Sequence, residues 1–347
     1  MKQFFLVPHG DGRLAAIVTD GHITRLCVDG PDAPARAGEI YRGRVVDVVK
    51  KANCVFVDIG WKHNGFLPLE PNAPTPGGSV VVTLTSLSVE PGKGPRLAPG
   101  PRIAGTYMIL QQGHRAVSKD ISDQQAALAR LDGILAPDEG GVLRAAAASV
   151  PDDILQQELV ALRQIRDAAL ASQGPLLYRP DPIAVFFEEH NAGEIQCEIQ
   201  ADADYIASLG MTPTLRPTGL ADRHRLPATL KQIAGPTVWL DCGARLTIET
   251  TRAATLIDID AAKCTQPMAK WLPAAAKGVM DQIALRELSG NILIDFPRNA
   301  ATQQPIDTLI RTTAAQDPTK TTPHGFTSLG FYEIARSRRV APTPTKS

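Results

Sequence analysis

Asp258, Asp260 and Asp295 are the residues whose type and spacing could carry catalysis. They lie in two apolar segments, LIDID at 256–260 and ILIDF at 292–296, that predict β-strands. Because side chains alternate between the faces of a strand, Asp258 and Asp260 would share one face. If the strands are neighbours in one sheet, Asp258 and Asp295 converge on a divalent cation that activates water. The sequence therefore predicts a metal-dependent hydrolase, in which Asp260 holds the water shell of the ion or orients the nucleophile.

The segments around these aspartates alternate between strand and helix patterns. From residue 235 onward, the apolar spacing predicts strands at 238–240, 245–250, 254–259 and 292–296, and helices at 271–288 and after residue 305. Strand, helix and strand in succession predict a sheet with helices packed on it, which is an α/β layer.

The segments before residue 40 and between residues 107 and 234 predict further mixed structure. Three short strands at the amino end include a hairpin with Asp20-Gly21 as its turn. Ser122 and Gln125 form a capping-box pattern ahead of a helix. A longer helix is predicted at 151–172, and the apolar run at 183–187 predicts a strand.

Short strand patterns at 40–47, 54–59, 65–69 and 79–84 predict a small antiparallel barrel of the oligonucleotide-binding type. A stretch rich in proline and glycine at 90–102 is interpreted as its exit linker. Aromatic side chains on such a barrel stack on unpaired bases, and cations beside them bind phosphates. The candidates for RNA binding are Phe56, Phe66, Arg42 and Arg44. The alternative left open is that both phenylalanines belong to the barrel core.

Composition limits the class of protein. The five cysteines are widely spaced and form no Cys-x-x-Cys pair, which argues against a disulfide framework and predicts no structural zinc. No apolar run approaches the roughly 20 residues that cross a bilayer, and the amino end lacks the apolar region of a signal peptide. We expect a cytoplasmic protein without membrane association. Net charge is zero, but Lys and Arg outnumber Asp and Glu by 14 to 9 in residues 1–119, as expected if a polyanion binds there.

Several segments, taken in chain order, resemble the bacterial ribonuclease E/G family. Residues 38–45, 56–60 and 65–69 resemble its embedded S-one-type RNA-binding barrel. Residues 253–260 look like its first metal-ligand strand, and residues 274–296 are similar to its helix and second metal-ligand strand. Residues 325–339 look like the segment that closes its catalytic domain.

The resemblance implies an α/β fold of several subdomains. A ribonuclease-H-like subdomain is interrupted by an OB-type barrel and a 5′-sensor, and a deoxyribonuclease-I-like α/β catalytic subdomain follows. The implied boundaries are 1–37 and 175–234 for the ribonuclease-H-like parts, 38–98 for the barrel, 99–174 for the sensor and 235–347 for the catalytic subdomain.

The resemblance also assigns roles to residues. Asp258 and Asp295 would be magnesium ligands, with Mn²⁺ as a substitute ion. The RNA-gripping surface of the barrel would consist of Phe56, Phe66 and Lys93, and the residues around a 5′-monophosphate would be Gly105, Ile109 and Arg144. An arginine fork is chemically suited to bind that phosphate.

Three departures from the family pattern limit this transfer. Asp260 stands where the family usually has asparagine, which adds charge beside the metal. Ala145 stands where the sensor usually has threonine, so we expect weaker discrimination of 5′ ends. The Cys-Pro-x-Cys zinc link is missing from the sequence, so the chain resembles a short member without the C-terminal extension. The resemblance then implies a homodimer and argues against a zinc-linked tetramer.

The preferred function is an endoribonuclease that cuts single-stranded RNA by magnesium-activated water, leaving 5′-phosphate and 3′-hydroxyl ends, in RNA processing or decay. One alternative is a non-catalytic RNA-binding protein of the same fold. Another is a metal-dependent phosphohydrolase acting on small molecules, which would require the barrel aromatics to be core.

Overall fold

A computed structural model describes residues 2–31, 33–70, 74–88, 92–216, 219–297 and 300–341, and of residues 300–302 only the backbone. The chain divides into two compact units. The discontinuous unit combines residues 1–35 with residues 181–347, and the inserted unit spans residues 36–180.

Strands and helices are numbered in chain order. The strands up to residue 99 are β1 Lys2–His9, β2 Gly12–Thr19, β3 His22–Asp29, β4 Ile40–Val49, β5 Cys54–Asp58, β6 Gly65–Pro68, β7 Ser79–Ser86 and β8 Arg96–Pro99. The next are β9 Ile103–Ala104, β10 Met108–Gln112, β11 Arg115–Val117, β12 Glu139–Leu143, β13 Leu176–Tyr178, β14 Glu194–Cys197 and β15 Thr212–Leu215. The last are β16 Thr237–Trp239, β17 Arg245–Thr250, β18 Thr255–Asp260, β19 Gly290–Asp295, β20 Thr321–Phe326 and β21 Phe331–Arg336. The helices are α1 Gln124–Ile134, α2 Asp152–Ala171, α3 Pro182–Glu189, α4 Gln200–Ser208, α5 Leu220–Arg223, α6 Leu226–Ala234, α7 Met268–Leu285 and α8 Ala300–Ala315.

The first sheet of the discontinuous unit has the order β15-β14-β1-β2-β3. Asp20 and Gly21 join β2 to β3 with positive φ angles of 52° and 85°, the geometry of a tight hairpin turn. Alternate side chains of β1 and β2 enter two separate apolar cores, Phe4 and Leu6 into one and Phe5 and Val7 into the other. Both faces of this sheet are therefore covered.

The prediction of a strand at 183–187 is wrong, because this segment forms helix α3. The Asp181 carboxylate accepts hydrogen bonds from the backbone N–H groups of Ile183 and Ala184, both at 3.0 Å, and Pro182 occupies the first turn. An N-terminal cap followed by proline favours a helix over a strand. The start of α1 also differs from the prediction, since its cap is Asp123, which accepts from the Ala126 N–H at 2.9 Å.

The second sheet of the discontinuous unit has the order β16-β17-β18-β19-β21-β20. Strands β18 and β19 are parallel, and α7 supplies the crossover connection that parallel neighbours require. Helices α7 and α8 contribute side chains to the same apolar core as one face of the sheet. The hairpin of β20 and β21 was not predicted as strands. Its pairing with β19 extends the sheet beyond the aspartate-bearing strands.

The opposite face of this sheet, here called the open face, carries the side chains that alternate away from the core. Among them are Trp239, Arg245, Thr247, Leu256, Asp258, Asp260, Leu293 and Asp295. All eight are at least partly solvent-exposed.

The inserted unit contains a closed five-stranded barrel in the order β4-β5-β6-β8-β7, with β7 returning to pair with β4. This architecture fits an oligonucleotide-binding type of subdomain. Its fifth strand, β8, lies in the stretch that the sequence predicted as a linker. Pairing with β6 and β7 makes this stretch a strand despite its proline and glycine content.

The inserted unit also contains a four-stranded sheet, β11-β12-β10-β9, packed with α1 and α2, and the short strand β13, which pairs with β4. Leu131 of α1, Leu155 and Leu159 of α2, and Leu110 of β10 are buried together. Glu139 of β12 is also buried, with 6% of its surface exposed, and makes two ion pairs, with Arg163 and Arg166.

Candidate functional site

Asp258 and Asp295 lie opposite each other on neighbouring parallel strands. The register of β18 and β19 pairs these two residues directly. Both project from the open face and are solvent-exposed. Because adjacent strands lie about 4.8 Å apart, their carboxylates are within reach of one shared cation.

This pair fits a magnesium ion by the chemistry of its donors. Mg²⁺ keeps several water ligands and is usually held by one or two carboxylates together with substrate phosphate oxygens. Among the residues that the structure describes, no group of three or more His, Cys, Asp or Glu side chains gathers at one point to hold a metal ion. The open face therefore offers two carboxylate ligands, and the other ligands of the ion would be water molecules and substrate oxygens.

Asp260 shares the open face with Asp258, two residues further along β18, and its carboxylate is already engaged. One oxygen, Oδ2, accepts from Arg245 Nη2 at 2.6 Å. The other, Oδ1, accepts from the Ala262 backbone N–H at 2.9 Å, in the turn that follows the strand. Asp260 is thus held in position and its charge is paired.

Phe56 and Phe66 form an aromatic pair on the outside of the barrel. They are register partners on β5 and β6, with ring centroids 6.5 Å apart and ring planes at 82°. Both are partly exposed and lie outside the barrel core, which is built from neighbours such as Val55 and Leu67. Phe66 also pairs with Arg96 of β8, which places a cation beside the two rings.

The other predicted RNA-binding cations lie in different surroundings. Arg42 donates to the carbonyls of Leu170 at 3.3 Å and Ser172 at 3.2 Å, so it caps the C-terminal end of α2. Arg44 is exposed and is the register partner of Asp58 on β5. It lines a shallow groove together with three glycines, Gly43, Gly60 and Gly77. Lys93 is exposed in the connection between β7 and β8.

The three predicted sensor residues are close in space. Arg144 donates to the Gly105 carbonyl, and its own N–H donates to the Tyr107 carbonyl at 2.8 Å. Ile109, on β10, pairs with Ala104, the residue before Gly105. These contacts bring the three residues close together, and their role around a 5′-monophosphate stays a prediction.

Glu158 of α2 braces the turn between Gly105 and β10. Its carboxylate accepts from the backbone N–H groups of Thr106 at 2.6 Å, Tyr107 at 3.0 Å and Met108 at 2.9 Å. A Cβ atom at Gly105 would lie 2.6 Å from the carboxyl carbon of Glu158. A side chain at position 105 would therefore push the Glu158 carboxylate away from these hydrogen bonds.

Comparison with known proteins identifies the family. A family model described as the Ribonuclease E/G family matches residues 102–339, more than half of the chain. This chain belongs to the ribonuclease E/G family. The match includes the segments that carry Arg144, Asp258 and Asp295.

Relatives named for ribonuclease E or G align along most of the chain. The ribonuclease E/G-like protein of Porphyra purpurea is 25% identical over 332 residues, covering 82% of this chain and 64% of that relative. Ribonuclease E of Escherichia coli is 23% identical, covering 97% of this chain and 37% of that relative. Ribonuclease G of Haemophilus influenzae is 24% identical, covering 93% of this chain and 77% of that relative. The chain thus spans less than two thirds of the length of the first two.

Sequence reasoning missed four side chains of this ribonuclease E/G family member that flank the predicted sites. They are Arg96, Trp239, Arg245 and Lys263. For Trp239 a signal existed, because it follows the apolar Val238 in a strand and alternation leaves it on the solvent side. Arg96 gave no signal, since its strand was interpreted as a linker.

Of the helices that the structure describes in this family member, none combines the length and the apolar character needed to cross a bilayer.

Proposed function

We propose that this chain is a magnesium-dependent endoribonuclease that cleaves single-stranded RNA in RNA processing or decay. The observation that carries the proposal is the direct register pairing of Asp258 with Asp295 on a solvent-exposed sheet face, in a chain of the ribonuclease E/G family. The names of the relatives, ribonuclease E and ribonuclease G, support the same activity.

The inserted unit binds the RNA in this proposal. Phe56 and Phe66 present two aromatic rings outside the barrel, and base stacking on such rings contributes roughly 1–3 kcal/mol per base regardless of sequence. Arg96 and Arg44 lie on the same barrel and neutralise phosphates, so binding weakens as salt concentration rises. Single-stranded RNA is preferred because only unpaired bases can stack on the side chains.

The discontinuous unit supplies the chemistry. Asp258 and Asp295 would hold the cation. Its positive charge would offset the repulsion of the two adjacent carboxylates for each other and for the phosphodiester. When bound there, Mg²⁺ lowers the pKa of water and neutralises charge that develops on the phosphoryl oxygens. Asp260, fixed by Arg245 and the Ala262 N–H, orients water toward the phosphorus. The bond from phosphorus to the 3′ oxygen breaks, which leaves a 3′-hydroxyl on one product and a 5′-phosphate on the other.

The first test uses a labelled single-stranded oligonucleotide with Mg²⁺. Replacing both metal ligands, Asp258→Asn with Asp295→Asn, should reduce cleavage by at least about 100-fold, since the ion and its charge stabilisation are lost. RNA affinity should remain, because the barrel is unchanged. Mass spectrometry of the products of the unaltered protein should show 5′-phosphate and 3′-hydroxyl ends.

Asp204→Asn is the matched control, because Asp204 is an exposed carboxylate on α4, a helix that packs on the other sheet of the same unit. It should leave the cleavage rate within about 2-fold of the original. Equal cleavage by the double variant and the unaltered protein would reject the assigned ligands. Salt-sensitive RNA binding without cleavage under any divalent ion would favour the non-catalytic RNA-binding alternative.

A homodimer and the ribonuclease-H-like and deoxyribonuclease-I-like assignments of the subdomains remain proposals that rest on the resemblance. Sedimentation equilibrium of the purified chain tests the first of these.

A further inference from the structure

Trp239 is a large aromatic side chain on the open face that the proposed chemistry does not use. It lies on β16 with 47% of its surface exposed, while its neighbour Val238 is buried in the core beneath the sheet. A tryptophan that served only to build the sheet core would point the other way. Its exposure leaves an aromatic surface on the face that also carries the paired aspartates.

The strand register fixes how far Trp239 lies from the aspartates. Trp239 pairs with Arg245, which pairs with Asp260, so these three side chains form one row across β16, β17 and β18. Asp258 lies in the adjacent row, two residues along β18. With strands about 4.8 Å apart and a rise of about 3.3 Å per residue, the Cα atoms of Trp239 and Asp258 are roughly 12 Å apart. The indole ring is then within reach of a nucleotide that neighbours the attacked phosphate.

Lys263 adds a cation to this aromatic surface. Its Nζ lies 4.7 Å from the centroid of the Trp239 ring. An exposed cation–π contact is worth about 0.5–1 kcal/mol, whereas a base stacked on an aromatic side chain gains about 1–3 kcal/mol. A stacked nucleobase would therefore gain more than the lysine contact loses, and the displaced ammonium would lie near the phosphate of the same nucleotide.

We propose that Trp239 is a base-stacking platform for a nucleotide next to the scissile phosphate, and that Lys263 binds the phosphate of that nucleotide. The inference rests on the proposed function for its choice of substrate. It adds a second RNA contact, on the unit that carries the aspartates, to the aromatic pair of the barrel. Stacking does not distinguish strongly between bases. The platform therefore determines which nucleotide of the RNA lies beside the scissile phosphate without requiring a particular base.

The test combines variants of Trp239 with RNA that lacks one base. The cleavage site of an oligonucleotide is mapped first, and a series of oligonucleotides then carries one abasic nucleotide at each position around it. With the unaltered protein, one position near the cut should lower kcat/KM by about 5- to 150-fold, the equivalent of one stacking contact. Trp239→Leu should lower kcat/KM on intact RNA by the same factor and show no further loss at that position. Trp239→Phe, which keeps an aromatic ring, should recover most of the activity.

A second measurement does not depend on cleavage. The same oligonucleotides are titrated with protein that carries Asp258→Asn and Asp295→Asn, with and without the Trp239 change, and fluorescence anisotropy reports affinity. Trp239→Leu should weaken binding of intact RNA but not of the RNA that is abasic at one particular position of the series. Lys263→Met should reduce the slope of log affinity against log salt by about one. These results would support the platform even if the protein failed to cleave.

Two outcomes would overturn the proposal. In the first, Trp239→Leu binds and cleaves intact RNA as well as the unaltered protein does, or its loss multiplies with the abasic loss at every position. In the second, the loss disappears as protein concentration rises and sedimentation shows that the variant has lost self-association. Trp239 would then belong to an interface between copies of this chain.

Discussion

Asp260 adds a negative charge beside the proposed metal ligands, and Arg245 neutralises it. The two side chains are 44% and 42% exposed and meet at 2.6 Å. Exposed ion pairs of this kind contribute about 0–1 kcal/mol to stability, so their effect on folding is small. Their effect on the local charge is larger, because the open face gathers three aspartates. Because Arg245 neutralises it, the Asp260 carboxylate does not act on the cation with its full charge.

Changes at Asp260 and at Arg245 should shift the Mg²⁺ concentration that cleavage requires in opposite directions. Asp260→Asn leaves Arg245 unopposed and should raise the Mg²⁺ concentration for half-maximal cleavage by about 2- to 5-fold, the effect of one screened charge near the surface. Arg245→Met frees the carboxylate and should lower that concentration by a similar factor. Titration of cleavage with Mg²⁺ checks both, and a stability measurement should show changes below about 1 kcal/mol.

The double variant, Asp260→Asn with Arg245→Met, is neutral like the original pair and serves as the control. Its half-maximal Mg²⁺ concentration should return close to that of the unaltered protein. If Asp260→Asn also lowers the cleavage rate at saturating Mg²⁺, the orientation of water by this carboxylate outweighs its effect on charge balance.

At the scale of secondary-structure elements, Glu139 ties β12 to α2. Its carboxylate accepts from Arg163 Nε at 2.9 Å and from Arg166 Nη1 at 2.8 Å, both on α2, and from the Ala136 N–H at 3.0 Å. Hydrogen bonds from Arg163 are the largest cause that holds the pKa of Glu139 at about 2, against the opposing effect of burial. Arg144 follows β12 and Glu158 belongs to α2, so this network positions both sides of the predicted sensor pocket.

The network should stabilise the protein in a pH-dependent way. The folded-state pKa of Glu139, about 2, lies below its ordinary value of 4.5, so the charged form favours the fold. The stabilisation is fully present above about pH 5 and is lost as the pH falls from 4.5 toward 2. Urea unfolding of the unaltered protein and of Glu139→Gln should differ by about 1–3 kcal/mol at pH 6. That difference should shrink steadily below pH 4.5.

Other carboxylates titrate over the same range, but they do so in both proteins, and the comparison cancels them. A difference between the two proteins that stays constant from pH 6 to pH 3 would show that hydrogen bonding, and not the charge of Glu139, links β12 to α2.

At the scale of the whole molecule, the discontinuous unit is assembled from both ends of the chain. Helix α7 packs against the second sheet through residues such as Val279, and its Leu285 enters the core of the first sheet. Arg336 of β21, only 4% exposed, pairs with Asp317 at 3.0 Å and with Glu287 at 2.9 Å. These contacts anchor β21, the direct neighbour of the strand that ends in Asp295.

Removing the buried cation should destabilise this unit strongly. Arg336→Met leaves the Asp317 and Glu287 carboxylates without their partner, and breaking a buried pair in this way typically costs about 3–5 kcal/mol. Thermal and urea unfolding measure the loss. Arg311→Met is the control, because Arg311 is half-exposed in an ion pair with Asp307 one helical turn away, and it should cost less than about 1 kcal/mol. Equal effects of the two variants would contradict a special role for Arg336.

The sequence by itself determined most of the individual strands and helices, and it identified the aspartates that could bind a metal ion. Alternating apolar residues identified β18 and β19, the barrel strands up to residue 86 and the amino-terminal hairpin, because side-chain alternation is a local property. The aspartates at the ends of β18 and β19 were found in the same way. The apolar pattern alone misled at α3, where the local cap Asp181 followed by Pro182 favours a helix. It also misled at β8, which only its neighbouring strands define as a strand.

Only the tertiary structure decided which of these elements meet. The register between β18 and β19 joins residues separated by α7 along the chain, and no local pattern specifies it. The pairing of Arg245 with Asp260, the exposure of Trp239 beside Lys263 and the long-range bond between Arg336 and Asp317 follow from that packing. Which side chains share a site depends on contacts between distant parts of the chain, because strand pairing and burial are settled by the sheet as a whole.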